Sequence, residues 1–217
     1  MAGYAAGSMK IRSYRSGDQP TLYEICLRTG DSGRDATGQY ADPRLLGQVY
    51  LGPYLALAPE LALVLDRGEG TPVGYAVGAR DSAEFAARCE ADWWPPLRRR
   101  YPDPVAVPPA ERTPDQRAAA LIHRPPAPPA AAGRYPSHLH IDLLPEAQGQ
   151  GHGRALLHRL LAALAAAGSP GVHLGVDPAN QGAVGFYRRL GLTEIGRSPW
   201  VIYFATELPP AGQPGGW

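Results

Sequence analysis

Gln148-Gly149-Gln150-Gly151-His152-Gly153 lies between two segments of opposite character. Before it runs His138-Leu139-His140-Ile141-Asp142-Leu143-Leu144-Pro145, which has the composition of a strand. After it, Arg154 opens a predicted helix that carries Leu156, Leu157, Leu160, Leu161 and Leu164 on one face. The order is strand, glycine turn, helix. Glycine reaches backbone conformations closed to other residues, and the first N–H groups of the following helix have no intrahelical partners. Such a junction suits a phosphate or pyrophosphate. The run is not a P-loop, which would end in Gly-Lys-Ser/Thr. Nor is it the dinucleotide fingerprint, because Gly149, Gly151 and Gly153 alternate without the wider final gap.

A second element lies downstream, Asn180-Gln181-Gly182-Ala183-Val184-Gly185-Phe186-Tyr187-Arg188-Arg189-Leu190-Gly191-Leu192. Gln148, Gly151 and Gly153 fit the pattern Gln/Arg-x-x-Gly-x-Gly/Ala. The downstream run fits Asn-x-x-Ala-x-x-Phe-Tyr-x-x-x-Gly-Phe, with Leu192 for the usual Phe. In this order and at this distance, the two resemble the acyl-CoA motifs of the GNAT superfamily of N-acetyltransferases. Over most of residues 9 to 206 the chain is also similar to the acetyltransferase-like C-terminal domain of eukaryotic O-GlcNAcase and its bacterial stand-alone relatives. Tyr23-Glu24-Ile25-Cys26, Val73-Gly74-Tyr75-Ala76-Val77-Gly78, Tyr135-Pro136-Ser137 and Gly168-Ser169-Pro170-Gly171 carry that similarity.

Composition bounds the rest. The 217 residues, 44% hydrophobic and 19% charged, suit one soluble α/β domain, placed at residues 9–207. No apolar run approaches a membrane span, so no membrane partner is expected and the location reads as cytoplasmic. Residues 1–8 lack the basic and apolar segments of a signal peptide and read, like 208–217, as a flexible tail. Cys26 and Cys89 are too few for a disulfide framework or a metal cluster, and no metal is expected. A net charge of +1 argues against a general nucleic-acid binder, and Arg98-Arg99-Arg100 reads as a solvated helix end.

Residues 10–14 alternate as a first strand, and Asp18 offers an N-cap for a helix ending near Gly30. Residues 31–42 form a loop and 43–50 a short helix. Two apolar strands, 61–65 and 72–79, flank a hairpin turn. Residues 82–100 read as a helix ending at Pro95 or a little beyond. Thr113 caps a second one reaching about His123, and 124–132 is a Pro/Ala linker. Residues 83–134 thus form a helical, proline-rich insertion between the third and fourth strands, expected to pack on the sheet through Trp93, Trp94 and Tyr101. Strand 137–144 and a helix to Ala167 follow, closed by Gly168. Strand 171–176, helix 178–190 and strands 192–195 and 200–206 complete the chain. The mixture indicates a three-layer α/β sheet. The resemblance implies more specifically the GNAT fold, a mixed central sheet of about seven strands with helices on both faces.

What the resemblance implies for chemistry is an acetyl-CoA-dependent N-acetyltransferase, with a primary amine of a small molecule or peptide attacking the thioester directly. The enzyme would be a monomer or homodimer. Acetyl-CoA would lie between splayed fourth and fifth strands, along the main chain of Leu143 and Leu144. Gln148, Gly149, Gln150, Gly151, His152, Gly153 and Arg154 would surround its pyrophosphate, His152 also reading as a plain loop residue. Asn180 is placed either to bond the pantetheine or to cap a helix. Tyr187 is placed to assist the departing thiolate or to pack beside Phe186. The acceptor wall would include Asp31, Asp35, Tyr40, Tyr50 and Tyr54. From the residues themselves, His138, His140 and Asp142 share one strand face, and the attacking amine must shed a proton. Asp142 is the first candidate base and His140 the second; a bulge in this strand would reverse the facing beyond it. A catalytically silent acyl-CoA-binding or protein-interaction module is the alternative. A nucleotide-phosphate hydrolase is disfavoured because no Lys follows the glycines.

Overall fold

The computed structural model describes residues 9–127 and 130–213, so the tail expected at 1–8 and the last four residues of the one expected at 208–217 lie outside the described residues. Seven strands form one mixed sheet: β1 (Lys10–Ser13), β2 (Ala62–Asp66), β3 (Pro72–Ala79), β4 (Ser137–Leu143), β5 (Gly171–Val176), β6 (Thr193–Arg197) and β7 (Ile202–Glu207). Their order is β1-β2-β3-β4-β5-β7-β6, antiparallel at every pairing except β4–β5. β2 and β3 are buried along their whole length, as their unbroken apolar runs require of strands covered on both faces.

The parallel β4–β5 pair needs a crossover, which α7 (His152–Ala166) supplies. Its five leucines at helical spacing are all buried and press on β2, β3 and β4, Leu160 lying against Gly78. Each contributes on the order of 1.5–3 kcal/mol of apolar burial. The opposite face carries α1 (Gln19–Arg28), packed on β3 and β4, followed by α2 (Leu45–Tyr50) and α3 (Gly52–Leu57). Helices therefore cover both faces, as expected. Asp18 does precede α1, but its carboxylate accepts from the Arg12 guanidinium at 2.7 and 2.8 Å and from the Arg15 amide rather than from helix amides.

Between β3 and β4 stand α4 (Ser82–Arg88), a π-helical turn (Cys89–Trp93), α5 (Trp94–Arg100) and α6 (Pro114–His123). The helix continues to Arg100 because the wide turn resolves the prolines: Trp94 N–H bonds to the Cys89 carbonyl, and Pro95 and Pro96 then fall in the first turn of α5, where no N–H is needed. Thr113 closes a reciprocal capping box with Gln116, as its position predicts. The insertion docks differently from expectation. Trp93 donates to the Gln48 carbonyl at 3.0 Å and Tyr101 to Asp42 at 2.6 Å, so both reach the segment carrying α2 rather than the sheet. A buried indole or phenol needs an acceptor, and that segment supplies one for each. α8 (Gln181–Arg189) begins after Asn180, and β7 ends beside a buried Leu208 whose amide donates to the Pro170 carbonyl.

Candidate functional site

β4 and β5 pair only through Ser137–Val172 and His138–His173. Beyond that point β5 stays paired with β7 to Val176 and β4 with β3 to Leu143, so the two strands part company. The open edge of β4 can be assigned. Leu144 N–H donates to the Val73 carbonyl, and in an antiparallel ladder the main chain alternates between neighbours. Asp142, His140 and His138 therefore turn their main chain toward β3, while Leu139, Ile141 and Leu143 turn theirs into the gap. Leu144 has its amide on Val73 and its carbonyl on Ala147, and the Leu143 carbonyl accepts from Gln148 Nε2 at 2.8 Å. The Leu143 amide thus faces the gap, joined by Ile141. The sequence pattern did not single out Ile141, because period-two alternation does not say which edge of a strand is left open.

The glycine turn sits at the C-terminal end of β4. Gly149 (φ +74°) and Gly151 (φ +84°) both lie in the left-handed region, with open space where a Cβ would stand. Gly151 caps α7, which opens at His152, two residues earlier than predicted. Ala155 is the first residue to bond back, to the Gly151 carbonyl. The amides of Gly149, Gly151, His152, Gly153 and Arg154 have no protein partner among the described residues, and they gather at the positive end of a 15-residue helix. Gln150 Nε2 bonds the Glu146 carbonyl and tightens the turn, and the Arg154 side chain is exposed at the same end. A Cβ on Gly153 would meet the Phe186 ring at 3.5 Å, so the start of α7 abuts α8.

On α8, Tyr187 is buried, edge-on to Phe186 and 6.0 Å from the Phe204 ring. Burial, seconded by the charge of Asp142, pushes its phenol pKa up, so it is a neutral hydroxyl at physiological pH. Asn180 caps the helix, its Oδ1 accepting from the Ala183 amide at 3.0 Å. The loop after α1 closes over this end: Ser32 Oγ donates to Asp177 at 2.6 Å and Gly33 packs on the Asn180 side chain.

The β3–β4 register is unbroken, so the bulge considered for this strand is absent and His138, His140 and Asp142 share the face beneath α1–α3. The His138 ring lies 5.4 Å from Tyr54 and 5.3 Å from Phe85. His140 lies 5.4 Å from Tyr54 and 6.2 Å from Tyr50. Burial draws the His138 pKa down to about 3 and that of His140 to about 4, so both are neutral imidazoles. Ser82 Oγ donates to the Pro136 carbonyl, so it accepts from His138 Nδ1–H at 2.8 Å and leaves His138 Nε2 with a bare lone pair. Asp142 accepts from the Tyr75 hydroxyl; burial raises its pKa against that bond. The other expected acids are tied locally: Asp31 pairs with Arg34 at 3.1 Å, and Asp35 accepts from the Thr37 amide. Tyr40 is half-buried on the same loop.

A cavity of about 480 Å³ opens where β4 and β5 part, walled by Tyr54, Phe85, Trp94, His138, His140 and Tyr203. Phe85 and Trp94 sit on one continuous helical run, whereas Tyr54 and Tyr203 come from distant parts of the chain that no spacing in the sequence marks as its neighbours.

A strand gap, a glycine turn with free amides and a lined cavity are thus gathered around β4. Residues 34–192 match the model of the Acetyltransferase (GNAT) family, and the chain belongs to that family. It is 27% identical over 189 residues to Protein O-GlcNAcase of Rattus norvegicus, and likewise to that of Mus musculus, across 86% of this chain and 20% of theirs. The chain thus spans about a fifth of the length of those relatives. The crystal structure of SsHAT superposes with a TM-score of 0.85 at 43% identity, over 92% of this chain and 98% of that one. A phosphinothricin acetyltransferase from Sinorhizobium meliloti in complex with AcCoA shares the fold at 16% identity, with a TM-score of 0.57, over 96% of this chain and 94% of that one. No helix among the described residues is long and apolar enough to cross a membrane.

Proposed function

We propose that this protein is an acetyl-CoA-dependent N-acetyltransferase, in which a primary amine attacks the thioester directly. The observation that carries the reading is the continuity of two unsatisfied surfaces. The main-chain edge of Ile141 and Leu143 faces the strand gap, and it leads to the free amides of Gly149, Gly151, His152, Gly153 and Arg154 at the start of α7. An extended amide-bearing arm fits the first, and a pyrophosphate fits the second. Gln148 acts by fixing the Leu143 carbonyl, and Gln150 by tightening the turn. Arg154 supplies a countercharge. The two readings of Asn180 divide by atom: Oδ1 caps α8, while its amide nitrogen remains for a pantetheine carbonyl. Tyr187, a neutral phenol, donates to the departing thiolate. Holding donor and acceptor in line supplies the rest of the rate through orientation.

Between the two candidate bases, the geometry favours His140. Asp142 is bonded to Tyr75 and stands outside the cavity, whereas His140 lines it. The same Tyr75–Asp142 contact favours the competing reading, a catalytically silent acyl-CoA-binding or interaction module, since it occupies the carboxylate that the sequence offered first as base. Calorimetric titration with acetyl-CoA, followed by thiol release across a panel of amines, separates them. Micromolar binding, about −8 kcal/mol, with turnover supports the transferase; binding without turnover on any amine supports a silent acyl-CoA-binding module; no binding overturns the transferase and leaves the interaction module.

A further inference from the structure

We infer, resting on the transferase reading above, that the acceptor is an uncharged arylamine whose ring system enters the cavity between the insertion and the parted strands β4 and β5. The wall is aromatic. Tyr54 and Phe85 stack at 4.7 Å, Trp94 and Tyr203 continue the surface, and Pro125 and Pro126 close one side. Both strands of the gap contribute, His138 and His140 from β4 and His173 and Leu174 from β5, so a ring held here presents its substituent to the gap. A volume of about 480 Å³ lies within the range of small-molecule sites and admits a fused bicyclic ring.

Charge decides against an ammonium. Glu90 is the carboxylate on this wall, and both its oxygens are held by Arg98, at 2.7 and 2.8 Å. Asp142 is turned to Tyr75. A protonated alkylamine would lose its hydration without gaining a counterion, and contact with aromatic rings does not make up for that loss. An arylamine arrives already neutral. Its N–H groups need acceptors, and the bare Nε2 of His138 and the neutral ring of His140 provide them; both rings rest uncharged at working pH. His173 is fixed through Nδ1–H to the Tyr135 carbonyl at 2.7 Å.

The step balances without a further reactant. The amine nitrogen bonds to the acetyl carbonyl carbon, and the carbon–sulfur bond breaks with its electron pair on sulfur. The proton shed by nitrogen passes by way of a neutral imidazole to the thiolate, giving an N-aryl acetamide and the free CoA thiol.

The test uses the full chain, with 6-aminoquinoline as a fluorescent arylamine and Nα-acetyl-lysine amide as the alkylamine. Binding of the probe is read by fluorescence, and transfer by thiol release with acetyl-CoA. The expected result is a kcat/KM at least tenfold higher for the arylamine. Ala86→Trp, which fills the cavity from an exposed position on α4, should weaken probe binding at least tenfold while acetyl-CoA affinity stays within twofold. Equal or better transfer to the lysine derivative, or probe binding indifferent to Ala86→Trp, overturns this assignment alone. Failure to bind acetyl-CoA in calorimetry overturns the transferase reading and this assignment with it.

Discussion

Tyr75 on β3 and Asp142 on β4 stand directly opposite one another, and the phenol donates to the carboxylate at 2.5 Å beneath α1. Because burial raises the Asp142 pKa above 3.8, the folded state holds this proton more tightly than the unfolded chain. Stability linked to it is full below about pH 4 and lost as pH rises through the folded value. Asp142→Asn should remove that loss, so thermal melts of the variant should gain on wild type as pH rises from 4. Parallel profiles would sink the idea. At neutral pH, Tyr75→Phe should cost roughly 1–3 kcal/mol, because it strips the buried Asp142 carboxyl group of its hydrogen-bond partner. Adding Asp142→Asn should recover part of that cost.

Gly151 adopts φ +84° and opens α7. Gly151→Glu should strain the turn and set a negative charge among the free amides, abolishing acetyl-CoA binding by calorimetry. Gly151→Asn, which tolerates the left-handed region, should retain most of it. Wild-type affinity in the Glu variant would separate the turn from the pyrophosphate.

Tyr187→Phe should leave acetyl-CoA affinity nearly unchanged and slow turnover by roughly 10- to 100-fold. Steady-state kinetics on an accepted amine checks this. Unchanged kcat with lowered melting temperature would return Tyr187 to packing against Phe186 and Phe204.

His138 and His140 have folded pKa values of about 3 and 4, below the ordinary 6.5. Unfolding therefore takes up protons, and stability is lost as pH falls from about 6.5 toward 4, by at most about 1.4 kcal/mol per pH unit for each ring. Denaturant midpoints for His140→Gln should show a shallower acid limb than wild type; an unchanged slope between pH 6 and 4 would contradict the burial of that ring.

Where physics is local, the sequence disclosed it. β3 occupies residues 72–79 as read, Thr113 caps α6, and His138, His140 and Asp142 share a face because β4 is regular. The departures have separate causes. A π-helical turn carries the helix through Pro95, α3 forms just beyond the helix expected at 43–50, and Arg12 claims the Asp18 carboxylate. The site divides in the same way. Its glycine turn is written in consecutive residues, whereas the cavity joins Tyr54, the helical run carrying Phe85 and Trp94, and Tyr203 through tertiary packing that no spacing encodes.

Among the described residues only two ladder pairs, Ser137–Val172 and His138–His173, join the β1–β4 half of the sheet to the β5–β7 half, with the Ser137–Ser169 hydroxyl bond at 2.7 Å beside them. Mechanically this is a hinge near one end of a long seam. A strand-like ligand in the gap would work as a zip, bonding to the free rim of each half. Amide exchange across the seam should then slow far more on ligand binding than exchange within either half, giving a cooperative unit that the protein's own ladder leaves unfinished.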